Sequence, residues 1–337
     1  MRWKNKAHSL FISVFLMVSL TIAYGQEQTL NQVGTSMANF LKIGVGARAS
    51  SMGGAFVALS DDISCLYWNP GGLGTLKKNE VLFQTTNWIL DSKLYFVGAS
   101  YHLANIGVLG VSFYSFSSGD IEETTIDYPD GTGKTFTASD YSAGLTFSRQ
   151  ITDRFSVGFT VKYIAEQLYL EKASTVGLDV GSVFVTNFFN NLRIGFALSN
   201  LGGRMQLEGV DLAFKYSPGI KSYQAQLSTE PWDIPLLFRF GLATNLIEME
   251  NLRLTISSEV MDSRDFIHRI SIGSELAFNN ILYLRSGYKY NYDEMNLTFG
   301  GGLKLSVPSG KALRIDYSYG DFVILDKFQQ LSIILEF

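Results

Sequence analysis

A few residues in this chain have the type or spacing to do chemistry. Gly44-Val45-Gly46-Ala47-Arg48-Ala49 has the form G-x-G-x-x-A, with which a strand–turn–helix unit cradles a dinucleotide pyrophosphate. Asp61 and Asp62 offer paired carboxylates or hard metal ligands. His102 and His268 are imidazole bases, and Cys65 is the one thiol. Their surroundings weaken each of these. The glycine pattern lacks the βαβ unit that nucleotide binding needs. The adjacent aspartates suit helix capping plus pairing with an arginine. A single cysteine forms no internal disulfide, and no Cys/His spacing fits zinc. Neither histidine belongs to a hydrolase motif, although both are placed near outer strand ends, where a lipid deacylase would work. The expectation is therefore no catalytic residue, no metal and no cofactor.

These residues must be positioned by the rest of the chain, whose composition narrows the choices. Of 337 residues 46% are apolar, 14% aromatic and 17% charged, against about 25% charged in an average soluble domain. A net charge of −4 leaves no basic footprint for nucleic acid. At the N-terminus Arg2, Lys4 and Lys6 precede the apolar run Leu10–Ala23, and Ala23-Tyr24-Gly25 supplies small residues before Gln26. That is the pattern of a cleaved secretory signal peptide over 1–25.

Beyond residue 80 the chain alternates with period 2, the mark of strands with one apolar and one polar face. Leu313, Ile315, Tyr317 and Tyr319 oppose Ala312, Arg314, Asp316 and Ser318, and Phe155, Val157, Phe159 and Val161 oppose Ser156, Gly158 and Thr160. Such runs predict fourteen strands: 80–89, 94–103, 106–117, 138–150, 154–167, 172–187, 192–201, 235–247, 251–262, 266–278, 281–291, 294–306, 311–321 and 327–337. Most reach the roughly 9–11 residues that a tilted strand needs to cross a bilayer. Connections after even-numbered strands are short, whereas the two long ones, 118–137 and 202–234, follow strands 3 and 7. This parity is that of an outer-membrane barrel.

The reading is an all-β, 14-stranded antiparallel transmembrane β-barrel over 80–337, preceded by a non-alternating segment, 26–79. Expected lumen-facing charges include Lys162, Asp179, Arg193, Arg239, Arg253, Glu259, Glu275, Arg285, Lys289, Arg314, Asp316 and Glu336. Aromatic girdles are expected from Tyr288, Tyr290, Tyr317, Tyr319 and Phe328 at the long-loop end. Tyr283, Phe278, Phe155 and Phe337 would form the other. Apolar alternation ending on Phe337 is similar to the signal by which bacterial outer-membrane barrels are recognised for assembly. In 26–79, local rules predict a helix over Ala47–Met52, stopped by Gly53-Gly54. A second would begin with Ser60 or Asp61 as N-cap and end before Asn69-Pro70.

The stretch Phe40–Leu73, with Arg48, Gly53-Gly54, Asp61-Asp62 and Asn69-Pro70, closely resembles the opening motif of PorV/PorQ family proteins, a branch of the FadL-type (OMPP1/FadL/TodX) outer-membrane barrels. The resemblance implies fourteen strands with the N-terminal segment folded into the lumen as a helical hatch. A hatch is physically reasonable, because fourteen strands lie between barrels filled by their own side chains and those that hold a water channel. Arg48, Asp61 and Asp62 are the hatch charges expected to meet the lumen charges. Members of this branch serve type IX secretion, where one binds the C-terminal signal domains of exported proteins. The implied function is an interaction protein in the bacterial outer membrane, with membrane lipids, exported proteins and other secretion components as partners. Its working surface would be the long loops, where 202–234 carries Leu207, Phe214, Tyr216, Tyr223 and Trp232. The same residues suit an acyl chain, and the alternative is a FadL-like passive transporter of hydrophobic small molecules. That activity needs a side opening, for which a kink at Gly107 and Gly110 is the candidate.

Overall fold

Alternation with period 2 gives strands whose apolar row needs a non-aqueous neighbour and whose polar row needs partners of its own. A closed ring of strands meets both needs. The computed structural model describes residues 34–217, 223–292, 295–322 and 327–337; the expected signal peptide, 1–25, lies outside them. A single antiparallel barrel is formed by β1 (Glu80–Asn87), β2 (Lys93–Leu103), β3 (Gly107–Ser117), β4 (Ala138–Thr152), β5 (Phe155–Leu168), β6 (Glu171–Val185), β7 (Arg193–Gly202), β8 (Leu237–Glu248), β9 (Leu252–Ser263), β10 (Phe266–Phe278), β11 (Leu282–Tyr290), β12 (Leu297–Ser306), β13 (Ala312–Asp321) and β14 (Lys327–Glu336). Each strand lies within three residues of its expected bounds. The ring closes where β1 pairs with β14, from Glu80↔Glu336 to Asn87↔Gln329. Asn79 and Phe337 exchange backbone hydrogen bonds beyond that ladder, so the last residue helps to fasten the seam.

Side-chain exposure follows the pleat. On β13, Leu313, Ile315 and Tyr317 point outward while Arg314, Asp316 and Ser318 are buried inside. Two aromatic placements are corrected. Phe328 is 3% exposed and packs inside with Trp88 and Phe322. Tyr283 is also buried, its ring 5.1 Å from the Arg285 guanidinium. Tyr288, Tyr290, Tyr317, Phe278 and Phe337 are exposed. β3 pairs without register shift to β2 and, from Val108, to β4. No register shift therefore opens the wall at Gly107 or Gly110, and space at Gly110 is taken by Leu66, whose methyl would lie 2.5 Å from an added Cβ.

The long connections carry short pairings that the alternation did not announce. Ile121–Glu122 pairs with Thr135–Phe136, Arg204–Met205 with Trp232–Asp233, and Ala213–Tyr216 with Tyr223–Gln226.

Residues 37–76 lie within the ring. Glycine breaks and the low β-propensity of Ala- and Ser-rich stretches make this segment a chain of turns, with α1 (Ala47–Ser51), α2 (Cys65–Trp68) and a 3-10 turn over Pro70–Thr75. Phe56, Met52, Ile63 and Leu73 are fully buried, each adding about 1.5–3 kcal/mol of apolar stabilisation. The second helix starts later than expected. Ser60 donates its hydroxyl to the carbonyl of Phe56, and the Asp61 carboxylate is engaged by arginines, so neither caps. Asp62 instead accepts from the Ser64 amide and hydroxyl, two residues further on.

Candidate functional site

Each charge of the inner segment meets an opposite charge on the wall. Arg48 on α1 reaches Glu275 of β10 at 2.7 Å, and Glu275 is held at 2.7 Å by Arg285 of β11. Arg285 contacts Asp316 of β13 at 2.6 Å, and Asp316 lies 2.9 Å from Arg314 on the same strand. Arg314 contacts Asp62 at 2.6 Å, and Asp62 returns to Arg48 at 3.1 Å. The six groups close into a ring of alternating sign, neutral in sum and buried at every member. Asp61 bridges Arg48 at 2.6 Å and Arg193 of β7 at 2.8 Å, extending the network across the lumen. Arg253 stands 4.0 Å from Glu275. Buried charges are tolerated only when paired and hydrogen-bonded, and removing one partner costs about 3–5 kcal/mol.

A second fastening uses Arg239 of β8. Its guanidinium lies 5.2 Å from the Tyr67 ring and 5.1 Å from that of Trp68, beside Glu259 of β9 at 3.5 Å. Glu259 accepts the backbone N–H groups of Phe56 and Val57 at 3.0 and 2.9 Å. Backbone donors of the inner segment are thus satisfied by wall side chains, as burial requires. Gly46 donates to Gln84, Ala47 to Ser332, Gly53 to Thr298 and Ile63 to Glu80.

Asn69 and Pro70 form the third contact. The Asn69 side chain accepts from the Gly71 amide and donates to the carbonyls of Val57 and Ser182, while Pro70 occupies the first position of the following turn, where its missing N–H is harmless. Asn69→Ala is expected to lower the unfolding free energy by about 1–3 kcal/mol through unpaired buried carbonyls, measurable as a lower urea midpoint of the purified barrel.

Wall glycines that sequence reasoning passed over make this seating possible. A Cβ at Gly287 would lie 2.0 Å from the Gly53 nitrogen, and one at Gly181 would lie 2.1 Å from the Asn69 side-chain oxygen. Gly53 and Gly54 themselves take φ of +70° and +82°, which suits glycine. The available signal was positional: glycine recurs on the polar face of the strands.

At the long-loop end Lys42 pairs with Asp265, which also accepts from Ser36 and Ser263. Burial pushes the Asp265 carboxyl up; hydrogen bonds from Lys42, Ser263 and Ser36 outweigh it and hold the group below the usual carboxylate range. This anchor persists at neutral pH and is lost only as acidification protonates Asp265. At the short-turn end a cavity of about 660 Å³ opens beneath Asp61, Arg193 and Arg314, rimmed by Glu80, Lys304 and Glu336.

The remaining candidates are dispersed. His102 lies at the short-turn end of β2, contrary to its expected outer position, with its ring bonded to Asn79 and the Leu76 carbonyl. His268 is exposed and pairs with Asp262 at 3.0 Å. Lys162 and Asp179 pair with each other at 2.8 Å. Cys65 is buried. Among the described residues no cluster of three or more His, Cys, Asp or Glu could hold a metal ion.

The long loop divides in two. Leu207 packs against the core beside buried Met205 and Ile234, whereas Phe214, Tyr216, Tyr223 and Trp232 are 43–55% exposed. Between the paired strands Ala213–Tyr216 and Tyr223–Gln226, Phe214 faces Ala225 and Tyr216 faces Tyr223, which places three aromatic rings on one face.

Solved structures show the same fold. The toluene transporter TodX of Pseudomonas putida superposes with a TM-score of 0.57 at 12% identity, over 87% of this chain and 97% of its own. The toluene transporter TbuX of Ralstonia pickettii gives 0.53 at 12% identity, over 87% and 97%. A FadL homologue of Pseudomonas aeruginosa gives 0.51 at 12% identity, over 92% and 99%. A comparison with curated proteins finds no match. The sequence profile described as "Type IX secretion system protein PorV" matches residues 26–262. A fourteen-stranded outer-membrane barrel of FadL-like fold, matched by that profile over most of its length, belongs to the PorV family of type IX secretion system proteins.

Proposed function

We propose that this barrel is a non-catalytic binding component of type IX secretion that engages the C-terminal signal domains of exported proteins at its long-loop end. The observation that carries the reading is the exposed strand pair Ala213–Tyr216 and Tyr223–Gln226. It is a two-stranded ribbon whose outer edges have no strand partner among the described residues, and its aromatic face is uncovered. Free strand edges accept an extended segment by backbone pairing, and aromatic side chains supply the anchors. Residues 26–79 act as a hatch that keeps the lumen closed while cargo is handled outside, consistent with a signal peptide over 1–25 that is removed on export. Phe337 serves assembly of the barrel.

The test is gentle affinity purification from the native outer membrane, with mass spectrometry of proteins and lipids. Exported proteins sharing one type of C-terminal domain are the expected co-purifying species. A stoichiometric hydrophobic solute without such partners would favour passive transport instead. The double variant Tyr216→Ser/Tyr223→Ser is expected to reduce partner recovery at least about tenfold, the loss of one or two aromatic anchors, while heat-modifiable migration of the barrel is unchanged.

A further inference from the structure

Above α1, on the side of the long loops, the inner surface of β10 and β11 carries cations without carboxylates. Lys289 of β11 lies 5.1 Å from the ring of Tyr292. Arg269 of β10 stacks on the same ring at 4.5 Å and on Phe266 at 4.0 Å. Neither has a salt-bridge partner among the described residues, and the Arg269 Nε is buried without a hydrogen bond. Lys289, Tyr292 and Arg239 line a cavity of about 60 Å³ together with Trp88, Met295 and Phe328. Arg239 is 1% exposed, and its Nε also lacks a hydrogen-bond acceptor. Glu259, which lines the cavity as well, directs one oxygen to the Phe56 and Val57 amides, and the other stands 3.5 Å from Arg239.

The electrostatic balance here differs from that of the ring below. Among the described residues, the lining cations Lys42, Arg239 and Lys289 and the adjacent Arg269 face Glu259 and Asp265, four cations to two carboxylates. Buried donors and charges left without acceptors are costly, and proteins compensate them with a bound group. The space holds two waters or one carboxylate headgroup, at about 30 Å³ of liquid volume per water. Water would satisfy the donors and leave the charge uncompensated. The apolar side of the lining suits the carbon end of a carboxylate. We infer that this cavity is an anion site that takes a small carboxylate, with Lys289 and Arg239 as the contacting groups and Arg269 reinforcing the positive field through Tyr292. The site is separate from the exposed strand pair and does not depend on its partner.

Trp88 and Trp68 report on the site, because both line the cavity. The full-length barrel in an uncharged detergent is titrated with sodium iodide, a small anion that quenches tryptophan emission, at constant ionic strength. A saturable component is expected over the linear, collisional background of exposed Trp232, and Trp88→Phe reduces that component to the share of Trp68. Sodium acetate displaces iodide, whereas acetamide, of the same shape without charge, does not. Lys289→Gln weakens the apparent affinity about tenfold or more, the loss of one charge-assisted contact, and Arg269→Gln, which removes only field, weakens it less, while Lys289→Arg retains it and heat-modifiable migration confirms that all variants are folded. Linear quenching that neither acetate nor Lys289→Gln alters overturns the proposal. So does saturable binding that emerges only in Asp293→Asn/Glu294→Gln, because the chain's own acids would then be the natural occupants.

Discussion

Arg48→Glu is expected to detach the inner segment and convert a closed barrel into a conducting one. In the native ring Arg48 faces Asp61, Asp62 and Glu275 at 2.6–3.1 Å. A glutamate there places four carboxylates around one buried point, with Arg285, Arg314 and Arg193 as the remaining nearby cations. Breaking a buried pair costs about 3–5 kcal/mol and like-charge contact adds to it, comparable with the whole stability of a small domain. The outer ladder does not include Arg48, so the barrel itself is expected to assemble. Planar-bilayer recording should show persistent open steps absent from the native protein, and the swap Arg48→Glu/Glu275→Arg should restore part of the closure. Native conductance and native thermal unfolding in Arg48→Glu would show that the ring does not hold the hatch.

The second large effect comes from a side chain too many. Gly287→Val puts a Cβ 2.0 Å from the Gly53 nitrogen and close to the Met52 carbonyl carbon, both backbone atoms that cannot rotate away. Overpacking costs typically 1–3 kcal/mol and more where the neighbour is rigid, so a loss of at least about 3 kcal/mol in hatch docking is expected. Limited proteolysis should then cut within 34–79 while the strands stay protected. Gly301→Ala is the control: its nearest atom is 3.5 Å from the added Cβ, and it should be silent in the same assay. Equal protection of residues 34–79 in both variants would contradict the seating described.

The contrast between these residues shows what the sequence could reveal. Strand positions are written locally, because a period of 2 needs only adjacent residues, and Arg285, Arg314, Asp316 and Glu275 could be assigned inward by parity alone. Their closure into a ring could not, since Asp62 and Arg314 are separated by 252 positions and meet only when the barrel closes. Phe328 and Tyr283 were misplaced because they were read by height along the strand; parity puts Phe328 on the face of Gln330 and Tyr283 on that of Arg285. Ser60 and Asp61 satisfied a local capping rule that nearby arginines override. The wall glycines were visible as a pattern, yet a missing side chain has meaning only once the backbone that fills its place is known. The pairings within 118–137 and 202–234 involve runs of two to four residues, too short for periodicity to detect.

Site-specific photocrosslinking from position 216 in the native outer membrane tests the central reading most directly. A photoreactive residue replacing Tyr216, which is 55% exposed on the long-loop strand pair, should form adducts with exported proteins that share one type of C-terminal domain. The same probe at Leu284, on the outward face of β11, should capture lipid only. Adducts at position 216 confined to lipid, with a hydrophobic solute retained in the purified barrel, would contradict the secretion role.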